Sequence, residues 1–308
     1  MKCLVTCGAG FLGSHIVDQL CQKGHKVAVI DNLSSGREEY VPRGVLLYNN
    51  SIEHEEISKI FAKEKPDVVF HCAAHIEARE SVKDVSFDAK VNILGSLNIL
   101  EACRKIGVKK VIFASSGGEV YGDAKEMPAR EEFLPMPVSP YGVAKYAVEK
   151  YLYSYSRLFG ISFVALRYGN IYGPRQSPYK ESGVVAIFAK RMLSGEPIMI
   201  HGDGEQTKDY IYIQDAVSAT ILAMEKDMQG VVNIASGKET SVMEIYTSLK
   251  EITGFSHGVL HVELPVKGFV KHTYLSIEKA KKELGWEPEV SLRDGIKKTV
   301  EWFGHNRA

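Results

Sequence analysis

From residue 2 to residue 13 the chain reads Lys-Cys-Leu-Val-Thr-Cys-Gly-Ala-Gly-Phe-Leu-Gly, an apolar run that breaks into closely spaced glycines and resumes as a helical pattern. No other feature restricts the fold as much. A strand leading through Gly8, Gly10 and Gly13 into a helix lets the free N–H groups of the helix start approach a pyrophosphate, because no Cβ holds it off. Asp31 ends the next β-rich run, 18 residues after Gly13. A carboxylate there can accept both ribose hydroxyls and disfavours a 2′-phosphate. Turn and carboxylate together predict an NAD site bordered by Gly8, Gly10, Phe11, Leu12, Gly13, Asp31 and Asn32. The bland alternative is that the glycines only make a tight turn.

Past that turn, short β-rich runs alternate with helical patterns. Strands are predicted at Lys2–Thr6, Lys26–Asp31, Val45–Tyr48, Asp67–Cys72, Lys109–Ala114 and Ser162–Arg167. Helices are predicted over Leu12–Lys23, His54–Lys63, Phe87–Ile106 and Pro140–Phe159. Such alternation predicts an α/β fold, a doubly wound parallel sheet of the Rossmann type. Runs such as Val68-Val69-Phe70 fit strands buried on both faces. After Tyr168 glycine, proline and charge become denser, as in Gly173-Pro174-Arg175-Gln176-Ser177-Pro178. Residues 1–168 are therefore expected to form the NAD-binding domain. Residues 169–308 are expected to be mainly a smaller α/β substrate lobe, with some segments returning to the sheet. Its shorter helices are predicted near Val184–Leu193, Ala216–Glu225, Val242–Thr253 and Ile277–Leu284.

Charge is balanced, 38 basic residues against 38 acidic, which argues against nucleic acid or an anionic membrane as the main partner. No apolar run reaches the length of about 18 residues that spans a bilayer, and the first residues lack a cleavable-signal pattern. The five cysteines form no CxxC pair and the histidines show no ligand spacing. Reduced thiols, a cytoplasmic location and no metal are the expectation.

Ser139-Pro140-Tyr141-Gly142-Val143-Ala144-Lys145 follows a proline-rich loop. With Ser139 as cap and Pro140 as the first helical residue, Tyr141 and Lys145 lie one turn apart on one face. A neighbouring ammonium favours the phenolate, so Lys145 is expected to lower the Tyr141 pKa and make a usable base. Two helices carry more apolar surface than one face needs. Val91, Ile93, Leu94, Leu97, Ile99, Leu100 and Ile106 lie on one, and Tyr146, Val148, Tyr151, Leu152, Tyr153, Tyr155, Leu158 and Phe159 on the other. One stripe of each should cover the sheet and the other a second copy, predicting a homodimer through the helices near 87–106 and 140–159. Cover by the substrate lobe is the alternative.

On these residues the chain resembles the extended short-chain dehydrogenase/reductase family, and most of all the UDP-glucose 4-epimerase branch of its NAD-dependent nucleotide-sugar epimerases and dehydratases. The resemblance rests on the glycine turn, Asp31-Asn32-Leu33, Cys72-Ala73-Ala74, Val91-Asn92, Ser115-Ser116 ahead of Val120-Tyr121-Gly122, Tyr141 with Lys145, Leu166-Arg167-Tyr168 and Leu284-Gly285-Trp286. It implies Tyr141 as acid/base, Lys145 on the nicotinamide ribose and Ser116 on the reacting sugar hydroxyl, with Ser115 the weaker candidate. Ser51, Ile52, Cys72, Ala73, Ala74, Asn92, Ser115 and Tyr168 would line NAD, while Asn170 and Lys208 would meet the sugar nucleotide. The implied reaction interconverts UDP-galactose and UDP-glucose through a transient 4-keto sugar, with NAD regenerated each turnover and tightly retained. His75 is expected to line the pocket without acid/base duty.

The chain departs from the pattern at a few positions. Cys7 stands where the family usually has its first glycine, with Gly8 expected to absorb an unusual dihedral. Ser51 replaces a common aspartate. Lys208 replaces an arginine, keeping charge without the bidentate fork, and Val266 and Phe269 stand where an arginine and a Gly-Asp step are usual. Glu119 before Val120-Tyr121-Gly122 is a mark of the dehydratase and decarboxylase branches, whereas Gly118 argues against elimination chemistry. A sibling nucleotide-sugar enzyme and a non-catalytic NAD-binding regulator are the competing readings.

Overall fold

The computed structural model of the chain describes residues 1–76, 78–122, 124, 126–179, 183–263 and 270–306. Val266 and Phe269, singled out above, lie outside the described residues. Among the described residues the main sheet holds seven strands in the order β11-β6-β5-β4-β1-β2-β3. These are β1 (Lys2–Thr6), β2 (Lys26–Asp31), β3 (Leu46–Asn49), β4 (Val68–His71), β5 (Lys110–Ser116), β6 (Ser162–Tyr168) and β11 (Gly230–Ile234), every neighbour pair parallel. Short pairs complete the strands: β7 (Asn170–Tyr172) with β10 (Tyr210–Tyr212), β8 (Ile198–His201) with β13 (Val259–Val262), and β9 (Thr207–Lys208) with β12 (Thr240–Ser241).

Helices cover both faces. They are α1 (Phe11–Gln22), α2 (Glu56–Glu64), α3 (Ala78–Lys83), α4 (Val85–Ala89), α5 (Ser96–Ile106), α6 (Gly117–Tyr121), α7 (Pro140–Phe159), α8 (Val184–Leu193), α9 (Ile213–Glu225), α10 (Val242–Thr253) and α11 (Leu292–His305). The period-two alternation of the strands divides the core into two. Cys3 and Val5 of β1 pack with Ile16, Val17 and Leu20 of α1 and with α9, whereas Leu4 packs with Ile57 and Phe61 of α2, Ile99 and Leu100 of α5 and Val148 and Leu152 of α7. A strand covered on both sides needs apolar residues at every position, which is why β4 reads Val-Val-Phe.

Several elements differ from expectation. The long helix predicted over Phe87–Ile106 is α4, a π-helical turn at Lys90–Gly95 and α5, with α3 ahead of it. The wider turn carries the buried Asn92, whose carbonyl accepts from Ser96 Oγ at 2.6 Å. The helix predicted over Ile277–Leu284 is helical from residue 278 and closes in a π-helical turn, Ala280–Leu284. Helix α11, unpredicted, is capped by Ser291 and buries Ile296, Val300 and Phe303. No helix among the described residues is long and apolar enough to cross a membrane.

Candidate active site

The site lies at the carboxyl ends of β1, β2, β4 and β5. The turn after β1 is close-packed: a Cβ on Gly13 would collide with the Cys7 carbonyl, and one on Gly8 would lie 2.7 Å from the Val29 methyls. The left-handed residue is Cys7 itself, at φ 56°, so Gly8 does not absorb the dihedral as expected. A non-glycine residue there costs about 1–2 kcal/mol. The Cys7 thiol is held protonated by burial and by the neighbouring Asp31 and Cys72.

Asp31, buried at the end of β2, accepts from Ala9 N at 3.0 Å and Leu33 N at 2.8 Å, one bond on each oxygen. Two carboxylate oxygens offer about four lone-pair sites, so capacity remains for a diol. Segment 32–37 runs across this cradle. Arg37 N donates to Ala9 O at 2.9 Å, and a Cβ on Gly36 would stand 2.9 Å from both Asp31 oxygens. The residues present fit a dinucleotide: a glycine floor at the start of α1 and a carboxylate with unspent acceptors beside it. Asn32 Nδ2 donates to Ser51 Oγ at 2.8 Å, so Ser51 steadies Asn32 at this end.

A buried chain of hydroxyls fixes the next wall. Thr6 Oγ1 accepts from Cys72 N (3.1 Å) and Ala73 N (3.0 Å), which leaves its proton for His71 Nδ1 at 2.9 Å. His71 Nε2 then donates to Ser96 Oγ at 2.8 Å. Burial, reinforced by the Lys145 charge, pushes the His71 pKa down to about 3 and keeps the ring neutral. Asn92 is committed to the protein: Oδ1 accepts from His75 N at 2.7 Å, and Nδ2 donates to His75 O at 2.9 Å and Asp88 Oδ1 at 2.8 Å. It holds the 72–75 loop in place. His75 Nδ1 sits 3.4 Å from the buried Asp88.

Ser139 caps α7 through Gly142 N at 3.1 Å and gives its own proton to Glu119 Oε2 at 2.6 Å, with Pro140 at the first helical position. A Cβ on Gly142 would collide with the Glu119 carbonyl, so the starts of α6 and α7 are locked together. Ser116 caps α6, Glu119 N donating to its hydroxyl at 3.4 Å. Ser116, Tyr141 and Lys145 therefore stand at two adjoining helix starts. Lys145 Nζ donates to Ala114 O at 2.7 Å and lies 5.6 Å from the Tyr141 ring centroid.

The charge pattern corrects the sequence expectation. Burial, with Glu119 and Asp88 adding to it, raises the Tyr141 phenol instead of lowering it, and desolvation brings the Lys145 ammonium down to about 8. At this depth loss of water outweighs the attraction of the lysine, whose proton points at a carbonyl.

Several predicted residues have other partners. Ser115 Oγ donates to Glu149 Oε1 at 2.6 Å, and Glu149 takes a bidentate pair from Arg167 at 2.9 and 2.6 Å. Tyr168 OH meets Thr220 Oγ1 at 2.5 Å in the core between β6 and α9. Ile52 is buried against Gly95. Asn170 is exposed, its backbone N on Asp209 O at 2.6 Å. Lys208 Nζ reaches Val270 O at 2.8 Å. The sequence reading missed Glu149 and Asp209. Asp209 is a buried hub that accepts from Ser236, Gly237 and Leu275. A charge inside the otherwise apolar β6 run Phe-Val-Ala-Leu-Arg was the available signal for the first. Among the described residues no group of three or more His, Cys, Asp or Glu side chains could hold a metal.

A glycine cradle with a ribose-type carboxylate, joined to a Ser/Tyr/Lys constellation on a parallel sheet, defines a dinucleotide-dependent enzyme class. The "NAD dependent epimerase/dehydratase family" matches residues 3–235. The chain is similar to a UDP-glucose 4-epimerase of Mycolicibacterium smegmatis, 39% identical over 313 residues that cover 98% of each chain. It is also similar to the UDP-glucose 4-epimerase of Thermotoga maritima solved with UDP-glucose, at 50% identity, TM-score 0.98 and 100% of both chains. A UDP-N-acetyl-alpha-D-glucosaminuronate decarboxylase of Bacillus cytotoxicus is 33% identical over 325 residues, 98% of this chain and 97% of that one. The chain belongs to the NAD-dependent epimerase/dehydratase family, and its cofactor is NAD.

Proposed function

We propose that the chain is a cytoplasmic UDP-glucose 4-epimerase interconverting UDP-galactose and UDP-glucose. The observation that carries this reading is an intact Ser116–Tyr141–Lys145 site in a chain 50% identical, end to end, to an enzyme solved with UDP-glucose. The cradle of Gly8, Gly10, Gly13 and Asp31 would hold NAD, which would supply a reversible hydride acceptor for C4. Tyr141 takes the C4 hydroxyl proton as the phenolate and later gives it back, so the phenol that burial holds protonated in the resting site must first lose its own proton. Ser116, fixed at the start of α6, orients that hydroxyl, and Lys145 supplies the nearby positive charge that favours the phenolate. After the 4-keto sugar turns over, the same groups serve its other face. Asn170 and Lys208 hold the diphosphate.

A decarboxylase reading draws on Glu119 and on the 33% identical relative, but the Glu119 carboxylate is engaged by Ser139. Incubating the purified protein with UDP-galactose separates the readings: UDP-glucose is the expected product. Conversion of a UDP-uronate with loss of carbon dioxide would replace the epimerase reading. Bound NAD with no turnover of any sugar nucleotide would favour a non-catalytic role. Tyr141→Phe should abolish turnover and leave NAD bound, and any residual rate above a few per cent would remove Tyr141 from the role.

A further inference from the structure

The loop after β7 reaches across to the other side of the dinucleotide cradle. Arg175 in this loop has φ 68°, a left-handed backbone in a residue with a Cβ. Such strain persists only where surrounding contacts hold it. Those contacts are specific. The guanidinium is ion-paired with Asp18 of α1 at 2.7 Å, both side chains about one-quarter exposed (24% and 28%). The same guanidinium lies 5.2 Å from the Tyr40 ring centroid, and Arg37 approaches that ring at 6.0 Å. Next to it, His15 of α1 meets Pro174 O at 3.0 Å.

Tyr40 ends the strap that begins at Asn32. This strap is pinned to the glycine turn by Arg37 N on Ala9 O, and Gly36 rests on the Asp31 carboxylate. A dinucleotide whose phosphates reach the start of α1 and whose ribose reaches Asp31 lies alongside the strap. We infer that Arg175 is a positioning residue for the cofactor, a latch that ties the strap to α1 and so slows NAD release. Arg175 follows Asn170 by five residues, so the latch couples cofactor retention to the loop nearest the proposed diphosphate contact. Its test does not depend on which sugar is used.

The experiment preloads the full chain with a fluorescent etheno-adenine analogue of NAD and chases it with excess NAD. Arg175→Gly removes the side chain and relieves the backbone, so the ligand-free protein should unfold at the same temperature or higher. Release should nevertheless quicken about ten-fold, in line with loss of one half-buried cation–π and ion-pair contact. Tyr40→Ala should quicken it similarly, and the double variant no more than either alone. Release within two-fold of the parent for Arg175→Gly, or fully additive effects of the two changes, would overturn the latch.

Discussion

Cys7 combines a left-handed backbone with a side chain in a turn where every neighbour is a glycine or a small residue. Replacing it by glycine removes the steric cost of the positive φ and adds some unfolded-state entropy, so the net gain is up to about 1 kcal/mol. Urea denaturation of Cys7→Gly should show a higher midpoint at an unchanged slope, and a lower midpoint would mean the thiol's packing outweighs the strain. Glu119 acts on Tyr141 by charge. Its carboxylate disfavours the phenolate, so Glu119→Gln, which keeps an acceptor for Ser139, should let Tyr141 ionise at lower pH. An ultraviolet difference titration against Tyr141→Phe reads this directly, and an unmoved or raised titration would place the controlling charge elsewhere.

At the scale of elements, α7 is tied to the sheet by the Glu149 carboxylate, shared between Ser115 of β5 and Arg167 of β6. Both partners of the ion pair are nearly fully buried. Glu149→Ala leaves an uncompensated buried guanidinium and should cost about 3–5 kcal/mol by chemical denaturation, whereas removing both partners together should cost less than the sum. The strands β1 and β2 and the helix Pro140–Phe159 were legible because local signals agree there: the glycine turn, Asp31, and the Ser139-Pro140 start. Strand β11 was not assigned, since a five-residue run that opens on Gly230 and carries Asn233 in fourth place looks like a turn. That asparagine is satisfied only by distant groups, Ala129 O, Ser276 O and Tyr121 OH. The Tyr141 phenol was misjudged for a related reason. Spacing on a helix reveals a neighbour, but desolvation is a property of the packed site. Asn92 was singled out only through the resemblance, and its partners His75 and Asp88 depend on the π-helical turn.

On the scale of the whole molecule, the apolar surplus of α4, of the π-helical turn Lys90–Gly95 and of α7 remains outside the core. Phe87 and Leu94 are exposed on one side, and Val143, Tyr151, Tyr153 and Leu158 on the other, with α7 packed against α4 and α5. An apolar surface of this extent fits a two-fold contact between copies. Sedimentation at micromolar concentration should give a dimer, and Leu158→Glu with Leu94→Glu a folded monomer; a parent protein that sediments as a monomer ends the homodimer proposal.

The seventh strand carries a consequence for the order of synthesis. β6 pairs with β5 on one side and with β11 on the other, yet β11 follows it by more than sixty residues. While the ribosome is still making the segment between them, β6 presents an open parallel edge of Phe163, Val164, Ala165 and Leu166. A truncated product ending near residue 168 keeps that edge permanently, and such edges recruit other chains. The cradle-bearing half is thus chemically nearly complete but colloidally unsafe until residue 234 has been threaded alongside it.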